Sequence, residues 1–201
     1  KSPLERSSAA SDVYKRQLLV LMTIRLARRL SRSTMVGAIA GILLTLDGLA
    51  FVMSRIGLLD IFQAFFLVAG VSAVAADRDW FRHRLADHLR TIGNPHLNGD
   101  FGPALGWRPW RLVAGIMFGL ACGTKWNSMF VLATMGIVSV IWDWSARRLA
   151  GAGTKAWWSF LRDGVPAFVY LVVVALLTYL ATWAKWLVCL LYTSDAADER
   201  S

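Results

Sequence analysis

The sequence predicts an all-α integral membrane protein, a bundle of helices that crosses the bilayer several times, and three observations predict it. Of 201 residues 56% are hydrophobic and only 17% charged, with a mean hydropathy of +0.49, too little polar surface to cover a soluble globule. The apolar residues fall into runs near spanning length, and arginine-rich segments separate the runs. No strand-like alternation or short-period repeat competes with helices. The formal charge of +9 could suit nucleic acid, but such binders gather their bases on soluble modules. Here the bases punctuate apolar runs, so a lipid bilayer and no nucleic acid is the expected partner.

The chain divides into residues 1–17, 18–188 and 189–201. Back-translating Asp12 to Gln17 as GAT-GTG-TAT-AAG-AGA-CAG and taking the reverse complement gives, in a shifted frame, the codons of Cys189, Leu190, Leu191, Tyr192, Thr193 and Ser194. Inverted copies of one DNA element at both ends look like a translated sequencing adapter. Both tails are therefore expected to be artefacts that do not pack on the bundle, and Leu18 to Val188 to be an internal transmembrane fragment. All eight acids of that fragment are Asp, and Cys122 is its one cysteine. No disulfide can form within it.

Apolar stretches at 35–53, 57–76, 112–124, 129–142 and 165–184 predict five spanning helices, with Leu18 to Ile24 the stump of an earlier one. The third and fourth are short for the roughly 20 residues a span needs, and each extends if Trp110, Trp126 and Trp144 sit at interfaces. All ten tryptophans fall near run ends, as an interfacial belt requires. Gly37 and Gly41, and Gly115, Gly119 and Gly123, recur at the four-residue interval that lets helices approach closely. The helices that carry them can be neighbours if the faces around Gly37 and Gly115 pack together.

Orientation follows from arginine. Arg25, Arg28, Arg29 and Arg32 precede the first full helix; Arg78, Arg82, Arg84, Arg90, Arg108 and Arg111 lie between the second and third; Arg147, Arg148, Lys155 and Arg162 lie between the fourth and fifth. These segments are placed on the cytoplasmic side of the plasma membrane. The segment from Asp77 to Trp110, with His83, His88, His96, Asp79 and Asp87, reads as a solvated connector without the ligand spacing of a metal site. The tight turns at Ser54 to Gly57 and Thr124 to Ser128 then fall on the outer face, each with one base, Arg55 and Lys125.

A lone base in an outer turn runs against the orientation rule and costs on the order of 3 kcal/mol within hydrocarbon. Either it snorkels to lipid headgroups, or Arg55 and Lys125 converge on a phosphate, where low dielectric strengthens each charge-assisted hydrogen bond. Asp47, inside the first run, and Asp60, about one turn past Arg55, either hold the arginine or touch substrate. Ser54, Trp126 and Asn127 flank the two bases and are supporting candidates.

The segments LTLDGLAFVMSRIGLLDIFQAFF, GLACGTKWNSMFVLA and AFVYLVVVALLTYLATWAKW resemble the bacterial branch of the protein O-mannosyltransferases. The resemblance runs in order from about Arg25 to Trp186 and is sharpest at the SRxGLLD and GTKW turns. It implies a GT-C glycosyltransferase fold and transfer of mannose, at the outer face and with inversion, from a polyprenyl-phosphate carrier to Ser or Thr hydroxyls of exported polypeptides. It implies no cofactor beyond the lipid-linked mannose donor. Arg55 and Lys125 would then bind the carrier phosphate, and the family's acidic catalytic pair would precede Leu18. No catalytic residue is expected in the fragment, which by itself would be inactive. A transporter or flippase of an anionic lipid is the alternative, since it too would place charges inside a helical bundle.

Overall fold

The computed structural model describes residues 3–48, 60–98, 102–103, 106–186 and 189. Among these residues every regular element is helical: α1 (Pro3–Ser31), α2 (Thr34–Leu46), α3 (Asp60–Ile92), α4 (Pro109–Thr124), α5 (Ser128–Leu149), a 3₁₀ turn (Gly153–Trp158), α6 (Ser159–Phe168) and α7 (Val174–Thr182). A π-helical turn, Val169–Val173, joins α6 to α7.

Three of these stretches are long and apolar enough to cross a membrane, Asp60–Ile92, Ser128–Leu149 and Ala156–Thr182, where the sequence leads one to expect five spans. The described part of α2 has 13 residues and α4 has 16. At 1.5 Å per residue α4 is about 24 Å long, somewhat short of a hydrocarbon core of about 30 Å. It nevertheless traverses the bundle beside α3, since Arg111 at its start meets Asp77 and Lys125 at its end meets Asp60.

The chain reverses between α1 and α2 at Arg32, whose φ of 56° is the left-handed conformation, and at Ser33, whose hydroxyl accepts from the Val36 amide and caps α2. Gly37 and Gly41 lie against Ile24 and Arg28 of α1. Gly115, Gly119 and Gly123 instead face Tyr170, Ala175 and Thr182. The condition that the two glycine faces pack on each other is therefore not met; each lets a different neighbour approach. The 1–17 segment also departs from expectation: α1 runs through it from Pro3, and Arg16 donates to the Thr45 carbonyl at 2.7 Å. Extending a helix already nucleated by the following residues costs little.

Two apolar clusters hold the helices together. Ala73, Val74, Ala114, Phe118 and Leu171 join α3, α4 and the π turn. Phe81, Leu85, Leu97, Ala146, Ala152 and Ala156 form the second, near the Asp77 end. The stretch read as a solvated connector is thus largely structured. It is helical to Ile92, and Leu97 is buried with its amide bonded to the Ala150 carbonyl at 2.8 Å. Outward-facing positions are strongly apolar, with Ile39, Leu43, Leu46, Phe130, Ile137, Phe168 and Leu177 exposed. Such a face suits hydrocarbon and not water.

Gly115 is the tightest point. A Cβ there would fall 2.0 Å from the Tyr170 carbonyl oxygen, a backbone atom in the π turn, whereas a Cβ at Gly136 would meet nothing within 4 Å. Gly115→Ala is expected to destabilise the bundle by about 1–3 kcal/mol, the usual cost of overpacking. Gly136→Ala should be neutral or stabilise by up to about 1 kcal/mol through helix propensity. Thermal unfolding in detergent compares the two; equal effects would contradict the packing.

Candidate functional site

Asp60 opens α3, and Gln63 lies one turn along the same face. Opposite them, the chain leaves α4 at Lys125, whose extended backbone (φ −149°, ψ 133°) ends the helix while its amide still bonds Ala121 at 3.0 Å. A tight turn follows, closed by Ser128 N to Lys125 O at 3.1 Å and Met129 N to Trp126 O at 3.1 Å. This geometry aims the Lys125 ammonium at the Asp60 carboxylate, and the two form an ion pair.

Gln63 fastens the turn to α3. Its amide donates to Asn127 Oδ1 and, at 2.8 Å, to Ser128 Oγ, which in turn donates to the Ala121 carbonyl at 3.1 Å. Trp126 reaches the other way and donates from Nε1 to the Tyr179 hydroxyl at 3.0 Å, with the rings edge to face. Below Trp126 and Tyr179 a groove of about 300 Å³ runs between α4, α5 and the last helix, lined by Cys122, Met129, Leu132, Val172 and Leu176. The turn thus presents an ion-paired ammonium toward α3 and, at the next residue, an indole on the wall of the apolar trough. The Lys125 side chain is 46% exposed, and an ammonium has three donors, so it can hold Asp60 and still accept an anion.

Of the residues singled out in the sequence, Lys125, Asp60, Trp126 and Asn127 meet here. Ser54 and Arg55 lie outside the described residues. Asp47 caps the C-terminus of α2 and is exposed. Gln63, Ser128 and Tyr179 were not anticipated. Gln63 could have been, since a lone amide in an apolar run one turn from Asp60 needs a polar partner.

The opposite end of the bundle holds a second polar centre. Arg108 donates to Asp77 Oδ1 at 3.1 Å and to both oxygens of Asp143 at 2.5 and 3.0 Å. Arg111 donates to Asp77 at 3.0 Å and to Asp143 at 2.9 Å. Arg147 grips Asp163 with two bonds of 2.7 and 2.9 Å and donates to the Pro103 carbonyl at 3.3 Å. The Phe81 ring lies 4.7 Å from the Arg108 guanidinium and 5.1 Å from that of Arg147. Burial alone would lower the Arg108 pKa, but the hydrogen bond and charge of Asp143, with those of Asp77, outweigh it and raise the pKa.

Arg108, Arg111 and Arg147 were expected as cytoplasmic-facing charges; each is at most 1% exposed and paired with carboxylate. The paired acids Asp77, Asp143 and Asp163 neutralise them, so burial costs far less than it would for isolated charges. Carboxylates hold both guanidiniums of the four-residue network, which suits a structural lock better than a reactive centre. Among the described residues no group of three His, Cys, Asp or Glu side chains could hold a metal ion.

Comparison with known proteins finds relatives of the chain. Residues 13–84 match the family described as dolichyl-phosphate-mannose-protein mannosyltransferase. The chain is 38% identical over 183 residues to the polyprenol-phosphate-mannose–protein mannosyltransferase of Mycobacterium tuberculosis, a match covering 91% of this chain and 34% of that protein. The protein of the same name from Corynebacterium glutamicum is 39% identical over 169 residues, 84% of this chain and 32% of the relative. That from Mycolicibacterium smegmatis is 38% identical over 184 residues, 91% and 34%. The chain therefore spans about a third of the length of the curated relatives it matches. No solved structure matches it.

The two ionic centres should respond differently to neutralisation. Asp143→Asn leaves Arg108 and Arg111 buried with one carboxylate between them and is expected to cost about 3–5 kcal/mol. Asp60→Asn removes a part-exposed pair and should cost no more than about 1 kcal/mol. Unfolding followed by circular dichroism in detergent reads both, and a small loss for Asp143→Asn would contradict the lock.

Proposed function

We propose that this chain, similar to the dolichyl-phosphate-mannose-protein mannosyltransferase family, forms part of the membrane core of an enzyme transferring mannose from a polyprenyl-phosphate carrier to Ser or Thr hydroxyls of exported polypeptides. The observation that carries the reading is a single tight turn in which the half-exposed Lys125 ammonium, paired with Asp60, is next in sequence to Trp126 on the wall of an apolar groove. A polyprenyl phosphate is a chain of that polarity with an anionic head. The isoprenoid would lie along Cys122, Met129, Leu132, Val172 and Leu176, and the phosphate would take up the donors of Lys125 that Asp60 leaves.

As the bond from the sugar carbon to the phosphate oxygen breaks, negative charge grows on the leaving phosphate. A cation already in place binds that charge more strongly in the transition state than in the ground state, and so lowers the barrier. Asp60 positions the ammonium, while Gln63, Asn127 and Ser128 fix the turn that carries it. Trp126, held by Tyr179, walls the junction of head and tail. Arg55 is assigned the second phosphate contact, with Ser54 and Asp47 in support. The acceptor's proton is assigned to an acidic pair outside this segment, no cofactor is needed, and the reaction is placed on the outer face of the plasma membrane. The relatives' names lend nothing to the alternative of lipid transport.

The test uses the full-length enzyme, with transfer from polyprenyl-phosphate-mannose to an acceptor peptide as the readout. Lys125→Met should lower turnover about a hundredfold or more, the scale for losing one such donor, while expression and melting temperature hold. Arg55→Leu should do the same, and Arg55→Lys should fall short of full activity because the planar fork is lost. Normal transfer by the Lys125→Met, Arg55→Leu double variant would overturn the phosphate assignment.

A further inference from the structure

At the Asp77 end, remote from Lys125, a cavity of about 550 Å³ opens between the end of α1, α3 and the start of α4. It is lined by Arg28, Arg29, Arg32, Asp79, Trp80, Arg82, His83 and Trp110, with Ala76 at its base. Most arginines at this end already have partners. Arg29 and Arg78 share Asp79 at 2.8 and 2.9 Å, Arg90 meets Asp87, Arg84 lies over Trp80 and Arg148 over Trp144. Arg28, Arg32 and Arg82 have no carboxylate partner among the described residues, yet all three border this one cavity.

Like charges gathered around one space repel unless an anion sits between them. The backbone reinforces the gathering, because Arg32 adopts the left-handed conformation with φ 56°, which a residue with a side chain keeps only where its surroundings hold it there. Guanidiniums in a fork geometry match phosphate oxygens. Trp80 and Trp110 on the lining are the side chains that prefer the level of lipid headgroups, and Ala76 supplies an apolar floor.

From this geometry we infer a second anion site, one that takes the phosphate of an anionic phospholipid headgroup from the leaflet at the Asp77 end. Arg28, Arg32 and Arg82 bind the phosphate, Arg29 is held in reserve by Asp79, and the two indoles flank the glycerol and upper acyl chain. Such a lipid would tie α1 to α3 at the membrane surface. The inference stands on the cavity alone and not on the transfer chemistry.

Full-length protein, purified in mixed micelles of phosphatidylglycerol and phosphatidylcholine, can be examined by native mass spectrometry for retained lipid. Wild type should retain phosphatidylglycerol in preference to phosphatidylcholine. The Arg28→Gln, Arg32→Gly, Arg82→Gln variant should lose about tenfold or more of that preference, glycine being chosen to suit the φ at position 32. Should that variant fail to fold, Arg28→Lys, Arg32→Lys, Arg82→Lys decides. It keeps every charge, and hence the topology, but loses the forks, and is expected to weaken retention by about threefold or more.

Arg84→Gln with Arg90→Gln should change retention less than about twofold, since neither lines the cavity. Retention by the Gln/Gly variant equal to wild type would overturn the site. An equal loss in the Arg84, Arg90 variant would reduce it to general attraction for anionic lipid. If millimolar inorganic phosphate or glycerol 3-phosphate displaced the lipid and bound as tightly to delipidated protein, the occupant would be a free phosphate and the lipid assignment would fail.

Discussion

Arg108 and Arg111 enter the bundle interior only because Asp77 on α3 and Asp143 on α5 meet them there. Each guanidinium bonds both carboxylates and each carboxylate accepts from both guanidiniums, so three helices are tied at one depth. Rotating α3 by one residue would swing Asp77 by about 100° and leave charges buried without partners, at several kcal/mol each. The network thus sets the rotation and axial offset of α3, α4 and α5. What happens at the far end follows from that setting, including the meeting of Asp60 and Lys125.

The remainder of the molecule is arranged around this constraint in the manner a bilayer demands. Charges are paired inside or gathered at the ends, and large apolar side chains such as Leu43, Phe130, Ile137 and Leu177 face outward. Without a hydrophobic drive between helices in lipid, close contact carries the packing. Gly115 and Gly119 supply it by letting the backbone of the last helix approach α4. The π turn at Val169–Val173 follows Pro166, whose missing amide interrupts the helix ladder one turn before. Its widened backbone turns the Tyr170 carbonyl toward Gly115. From Asp60 to Asp77 is about 26 Å along α3, close to the thickness of a hydrocarbon core, so the two polar centres are separated by about the depth of one.

The helical membrane class was legible in the runs and their arginine borders, and Lys125, Asp60, Trp126 and Asn127 were legible as one neighbourhood because tight turns leave little choice of place. The buried network was not. Arg108, Arg111 and Arg147 have the composition of a cytoplasmic border, and nothing in their spacing records that Asp77, Asp143 and Asp163 converge on them from other helices. Small-residue spacing likewise announced a close approach without naming the neighbour. Gly37 meets α1 and Gly115 meets the last helix, because any helix face with a matching ridge satisfies the same interval. Gln63 lies between these cases, since its need for partners was readable while their identity was not.

The placement of the two polar centres at opposite faces is tested most directly by labelling single cysteines in whole cells. In a background with Cys122 and Cys189 replaced by Ser, Trp126→Cys and Arg84→Cys, both at exposed positions, would be treated with a membrane-impermeant maleimide before and after permeabilisation. Residue 126 should react in intact cells, and residue 84 only once the membrane is opened. Labelling of residue 84 in intact cells, or of both residues from the same side, would contradict a bundle whose lysine turn and arginine network face opposite sides of the membrane.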